Sequence, residues 1–187
     1  MCCLTSNGAK FPQGVTAVGK LSILRLPVVS ASAEHLVMGH LMRRNILTYK
    51  APPNNEGYDL ICIHPNPRHR PRRGQLAQVK VQVKSRYATD CPRIFPLRRK
   101  TLGAFDFLIA VFLNIGSFRR GREGRTGRKA PEFFTFPSSF IRHHHEQSGR
   151  WGKVRFSQKA KAIQKYRDDA GFEQIAVLLG VPRPRRA

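Results

Sequence analysis

The stretch from Phe105 to Leu113 is apolar at every position except Asp106. A run of that length and evenness predicts a central strand covered on both faces, so the chain must place further layers above and below a sheet. A second segment, Leu76 to Ser85, alternates: Val79, Val81 and Val83 point one way, and Gln78, Lys80, Gln82 and Lys84 the other. That is the period of a strand with one apolar face. Ile46 to Lys50, Tyr58 to Ile63 and Glu132 to Phe136 are expected as further strands. Pro52-Pro53-Asn54-Asn55 forms a turn between the first two of these.

Ser30 or Ser32 is positioned to cap a helix running to about Asn45, with Ala33, Leu36, Val37, His40 and Leu41 as its buried stripe. Upstream, Leu21 to Val29 reads as a strand that Pro27 keeps out of a sheet centre. Ser138 or Ser139 is placed to cap a short helix. Two more helices are expected near residues 157–168 and 171–179, the second ended by Gly180 and Pro182. This gives an N-terminal arm (1–29), a core (30–147) and a C-terminal helical extension with a basic tail (148–187). The chain has no internal repeat.

Charge narrows the partners. Among 187 residues, 34 Lys and Arg face 11 Asp and Glu, a formal charge of +23. A compact protein with that excess repels itself unless a polyanion screens it, so nucleic acid is the expected partner. The basic residues are mostly arginines in Gly- and Pro-rich loops, not one face of an amphipathic helix, which argues against a membrane surface. One loop holds Arg68, Arg70, Arg72 and Arg73; another holds Arg119, Arg120, Arg122 and Arg125. With Lys80 and Arg86, these are the candidate phosphate contacts, expected to flank the site and grip a duplex backbone. The four cysteines show no zinc-site spacing and no disulfide framework. Lys10 and Lys20 interrupt any signal-like region at the N-terminus, so a cytoplasmic protein is expected.

Phosphodiester hydrolysis needs a nucleophilic water, neutralisation of the phosphate and help for the leaving oxygen, which divalent cations on oxygen ligands supply. Asp59 is the obvious carboxylate. Gln82 offers an amide oxygen and Val83 a backbone carbonyl, while Lys84 shares the Gln82 strand face. Their convergence requires the strands of Asp59 and Gln82 to be neighbours. Only Glu34, Glu56, Asp59 and Asp90 are acidic between residues 30 and 100, so an acid here is rarely incidental.

Asp59 followed 23 residues later by Gln82-Val83-Lys84 resembles the core signature of the PD-(D/E)XK nuclease superfamily. Ser32-Ala33-Glu34-His35-Leu36 is similar to the glutamate-bearing helix that precedes it in many members. Gly57-Tyr58-Asp59-Leu60 and Val81-Gln82-Val83-Lys84-Ser85 resemble a branch with glutamine in place of the second acid. Phe105-Asp106-Phe107-Leu108-Ile109 resembles the strand that follows, so the likeness spans roughly residues 30 to 140. The resemblance implies an α/β (α+β) fold with a restriction-endonuclease-like core, a central mixed β-sheet flanked by α-helices. It also implies an Mg²⁺-dependent DNA endonuclease, with Mn²⁺ able to substitute, acting on double-stranded or branched DNA. Asp59, Gln82, Lys84 and Glu34 would be its catalytic group. Asp59, Gln82, the Val83 carbonyl and Glu34 would be its metal ligands. Cutting two strands with one site per chain is compatible with a homodimer.

Plainer roles stand beside these. Asp59 suits a turn after Gly57, Gln82 and Lys84 suit a solvated strand face, and Glu34 suits the positive end of a helix. Asp106 is expected to satisfy local backbone donors. His143-His144-His145 is expected to be surface histidine, because adjacent helical positions do not share a face. The alternative function is a non-catalytic nucleic-acid-binding protein on the same fold or on another basic scaffold.

Overall fold

The computed structural model describes residues 27–116, 129–147, 152–155 and 161–182. The second arginine loop (Arg119, Arg120, Arg122 and Arg125) and the basic tail lie outside the described residues, as do residues 21–26 of the strand expected over Leu21 to Val29, whose residues 27–29 are helical. A five-stranded sheet forms the middle layer, in the order β1 (Leu47–Lys50), β2 (Leu60–Ile63), β3 (Gln78–Ala88), β5 (Phe107–Gly116) and β6 (Glu132–Pro137). The β3–β5 pair is parallel and the other neighbours are antiparallel, so the sheet is mixed, as expected.

β5 is covered on both faces. Phe107, Ile109, Val111 and Leu113 pack with Ala33, Val37 and Leu41 of α1 (Pro27–Met42) and with Phe172, Ile175 and Leu179 of α4 (Asp168–Leu179). Leu108, Ala110 and Phe112 point the other way. They meet Phe95 and Leu97 of β4 (Ile94–Leu97), Ile141 of α2 (Ser138–His143), Val154 of β8 (Gly152–Arg155) and Ile163 of α3 (Lys161–Gln164). β4 and β8 join β7 (His145–Glu146) in a small antiparallel sheet, ordered β4-β8-β7. The C-terminal segment therefore supplies half of one helical layer.

Several local expectations are corrected. Helix α1 already includes Pro27, ahead of Ser30 and Ser32. Ser32 Oγ instead donates back to Val29 O at 2.8 Å. Leu36, predicted on the buried stripe, is 38% exposed. The helix after β6 starts behind Pro137 with no side-chain cap. Among the described residues α3 ends at Gln164, short of the expected 168, and α4 starts at Asp168, whose carboxylate accepts the Phe133 N–H at 3.0 Å. Gly180 closes α4, as expected, and does so in the left-handed conformation.

Candidate active site

β2 is shorter than the strand it pairs with, and that mismatch makes the site. It runs from Leu60, opposite Val81, to Ile63, opposite Gln78. β3 continues to Ala88 against β5 alone, so from Gln82 onward one edge of β3 lacks a strand neighbour. Asp59 sits one residue before β2, and extending the register by one step sets it opposite Gln82. Its Oδ2 accepts the Val83 N–H at 2.7 Å, where the next strand carbonyl would otherwise be. The Asp59 N–H donates to Val81 O and its carbonyl accepts from the Ala51 N–H, both at 2.8 Å. Gln82 Nε2 donates to the same carboxylate oxygen.

The charges converge as well. Burial pushes the Asp59 carboxyl above its usual range; the Val83 N–H and the Lys84 ammonium oppose the rise, the Glu34 carboxylate adds to it, and Gln82 opposes it. A cleft of about 240 Å³ is lined by Glu34, Asp59, Gln82, Val83 and Lys84, with Arg86 at one side. Gln82 is 6% exposed, so its amide belongs to the cleft wall, not to a solvated strand face. Glu34 pairs with Lys50 of β1 at 2.7 Å. A second lobe, about 280 Å³, shares Asp59, Gln82 and Lys84 and is bounded by Asn55, Arg98 and Thr101.

The basic candidates fare differently. Arg68, Arg70, Arg72 and Arg73 are exposed, but their loop joins Ile63 to Gln78, at the opposite end of the β2–β3 pair. At 3.3 Å per residue, Gln78 lies about 13 Å from Gln82 and about 20 Å from Lys84. The loop therefore does not flank the cleft. Lys80 lays its Nζ 5.3 Å from the Tyr58 ring centre. Arg86 donates to Ile94 O and stacks 5.3 Å over Phe95, so part of its guanidinium fastens β4 to β3. Asp106 accepts the Lys80 N–H at 2.7 Å, a backbone donor as expected, though 26 residues away.

Of the three histidines, His144 stacks on Phe140 at 3.9 Å and its Nδ1 lies 2.9 Å from Phe140 O. His145 Nε2 lies 3.0 Å from Leu97 O. Cys62 is buried beside Thr48, with its thiol pushed up to about 12 by burial. Among the described residues no three His, Cys, Asp or Glu side chains are grouped to hold a metal. The oxygen donors of the cleft are two carboxylates, an amide and a backbone carbonyl, a hard set of the kind magnesium takes. Sequence reading missed the turn after β4, with Arg98 and Thr101 on the second lobe. The signal was Ile94-Phe95-Pro96-Leu97, a short alternation that Pro96 obscures.

Among the described residues no helix is long and apolar enough to cross a membrane. No family model and no curated protein sequence matches the chain. Among solved structures it is similar to a bacterial homing endonuclease, with 16% identity over 81% of this chain and 90% of that one, at a TM-score of 0.43. It is also similar to a Holliday junction resolvase of the archaeal hyperthermophile Archaeoglobus fulgidus, with 10% identity over 83% of this chain and 99% of that one, at a TM-score of 0.42.

Proposed function

We propose that this chain is a metal-dependent DNA endonuclease that hydrolyses phosphodiester bonds, built on a PD-(D/E)XK core with glutamine in the second acidic place. The observation that carries the reading is the Asp59 carboxylate, fixed on the Val83 N–H at the open edge of β3, in one cleft with Lys84 and Glu34. Mg²⁺, or Mn²⁺ in its place, would be held by Asp59, the Gln82 amide oxygen and the Val83 carbonyl, with Glu34 reaching it or its waters. When bound, the cation supplies charge neutralisation at the phosphate and a more acidic water.

The chain's own residues do the rest. The backbone anchors on Asp59 keep its carboxylate from swinging away, which preorganises the cleft. Burial and the nearby Glu34 make the Asp59 charge unfavourable by itself, which is the imbalance a cation relieves. Gln82 presents its amide nitrogen to Asp59, and a half-turn of the amide offers its oxygen to the same space. Lys84 brings an ammonium to the face where phosphate and attacking water meet, orienting the water and drawing charge from the phosphate. Duplex or branched DNA is the substrate class in this reading.

One observation favours a second reading, a nucleic-acid-binding protein that does not cut. Gln82 donates to the Asp59 carboxylate and, being neutral, leaves the cleft one acid short of a carboxylate pair at these two positions. Plasmid DNA incubated with the full chain and Mg²⁺ or Mn²⁺ decides between them. The parent should nick or linearise the plasmid, and Asp59→Ala, Lys84→Ala or EDTA should abolish the cutting. Equal cutting by all three proteins would sink the nuclease reading, while salt-sensitive binding with no cutting would establish the second.

A further inference from the structure

The second lobe of the cleft is walled by two turns that the local chemistry holds rigidly. Residues 54–57 join β1 to β2, and Gly57 has a φ of 108°. A Cβ there would stand 2.4 Å from Ala104 Cβ, so only glycine lets this turn lie against residues 101–104. Asn55 Nδ2 donates to Tyr58 O at 2.6 Å and fixes the other side of the turn. The opposite wall is the 3₁₀ turn Arg99–Thr101 that follows β4, closed by Thr101 Oγ1 donating to Arg98 O at 2.9 Å.

Across the rim, Lys100 Nζ meets Glu56 Oε2 at 2.6 Å, with both side chains more than half exposed. Lys100 first, and Arg98 to a smaller degree, hold the Glu56 carboxyl below its usual range. Glu56 and Arg98 both line the lobe. The floor of the lobe is Asp59, Gln82 and Lys84, shared with the first lobe.

We infer that this lobe is a subsite for the sugar–phosphate backbone of the DNA strand next to the scissile phosphate. Arg98 and Lys100 are its phosphate contacts, and Glu56 holds Lys100 until DNA displaces it. Its place beside the scissile phosphate rests on the nuclease reading; the binding itself does not. A strand reacting at Lys84 must leave the cleft through one of the two lobes. Each lobe carries a further carboxylate and an arginine, Glu34 with Arg86 in the first and Glu56 with Arg98 in the second. Arg86 is drawn to Ile94 O and the Phe95 ring, whereas Arg98 is exposed and Lys100 stands on Glu56 at the rim of the second lobe. An exposed ion pair such as Lys100–Glu56 is weak in water, so exchanging its carboxylate for a phosphate is cheap. The richer arginine cluster, Arg68 to Arg73, stands at the far end of β3 and does not reach this path.

The test is the fluorescence anisotropy of the full chain on a short labelled DNA duplex, with EDTA present so that cutting cannot interfere. Arg98→Gln with Lys100→Gln should weaken binding about tenfold and lower the salt slope by about two, near one per phosphate contact. Arg70→Gln with Arg72→Gln removes the same charge at the far loop and should weaken binding by less than about threefold, as a diffuse field effect. Glu56→Gln should tighten binding about twofold, by releasing Lys100. Failure of the parent to bind the duplex, equal loss from the two double variants, or an unchanged salt slope in the first would overturn the subsite. A Glu56→Gln protein that binds no tighter would remove the placeholder role. Failure of the nuclease reading shows separately, as plasmid cutting that survives Asp59→Ala.

Discussion

The two halves of β3 have the same alternation in sequence and different fates in the fold. From Gln78 to Val81 the strand is paired with β2, with β5 joining on the other edge at Val81. From Gln82 onward it is paired with β5 alone. The first half is paired along its β2 edge, has the Lys80 N–H taken by the Asp106 carboxylate on the other, and buries Val79 and Val81 completely. The second half keeps an open edge, normally a hazard for edge-to-edge association. Here a carboxylate from the preceding turn takes the Val83 N–H, and a cleft occupies the space a longer β2 would fill. The site is thus a consequence of where β2 starts. Residues of the paired half should matter for stability, and residues of the open half for chemistry.

The largest expected effect breaks that comparison most directly. Asp59→Asn keeps an acceptor for the Val83 N–H but removes the charge, so cutting should fall on the order of a thousandfold, a loss of about 4 kcal/mol. Its thermal stability in EDTA should equal or exceed the parent's, because the lost charge is one that burial disfavours. A large drop in melting temperature would show Asp59 to be structural. Val81→Ala is the converse, with an expected loss of about 2 kcal/mol in urea unfolding and unchanged cutting per folded molecule. Loss of cutting beyond the unfolded fraction would erase the division between the halves.

A smaller effect sharpens the role of the amide. Gln82 is the one neutral side chain that both donates to Asp59 and carries an oxygen able to face a cation. Gln82→Glu adds a buried carboxylate beside Asp59 and Glu34, and in EDTA it should lower stability by about 1–3 kcal/mol. Mg²⁺ should restore that loss and should bind the variant more tightly than the parent, read by calorimetric titration. An unaltered Mg²⁺ affinity would mean that position 82 does not face the cation. On this reading glutamine trades cation affinity for a cleft that holds its shape when empty.

Much of this was legible in the sequence, for a physical reason in each case. The evenness of Phe107 to Leu113 reported two-sided burial, and the alternation of Gln78 to Lys84 reported register, because both patterns are set by the strand itself. The pairing of Asp59 with Gln82 was legible only as a condition, since it depends on which strands neighbour each other. Pro27 misled, because proline sets a limit on a strand, whereas here it lies within α1. β4 went unseen because Pro96, a poor strand residue, is tolerated on the outer strand of its small sheet. The two basic segments could not be ranked from composition. Arg68 to Arg73 is the denser cluster, but which end of β2 carries the cleft is decided by the fold.

The smallest effect concerns pH and tests the open half by its electrostatics. The raised Asp59 carboxyl means that the folded chain keeps a proton the unfolded chain has already released. Its contribution to stability is therefore fully present below the ordinary carboxylate range and is lost as pH rises through the raised value. Glu56, held low by Lys100, works in the opposite direction, but it is fully exposed and salt screens it. Thermal melts in EDTA at moderate salt should thus show the parent losing stability relative to Asp59→Asn across mildly acidic pH. Above that range the gap should stay constant. On the proposed reading Mg²⁺ would bind the charged carboxylate, so it should close the gap, and close it more at neutral pH than at acid pH. A parent and variant with parallel profiles in EDTA would mean that Asp59 is not strained by its burial, and burial would then give a cation no advantage at this carboxylate.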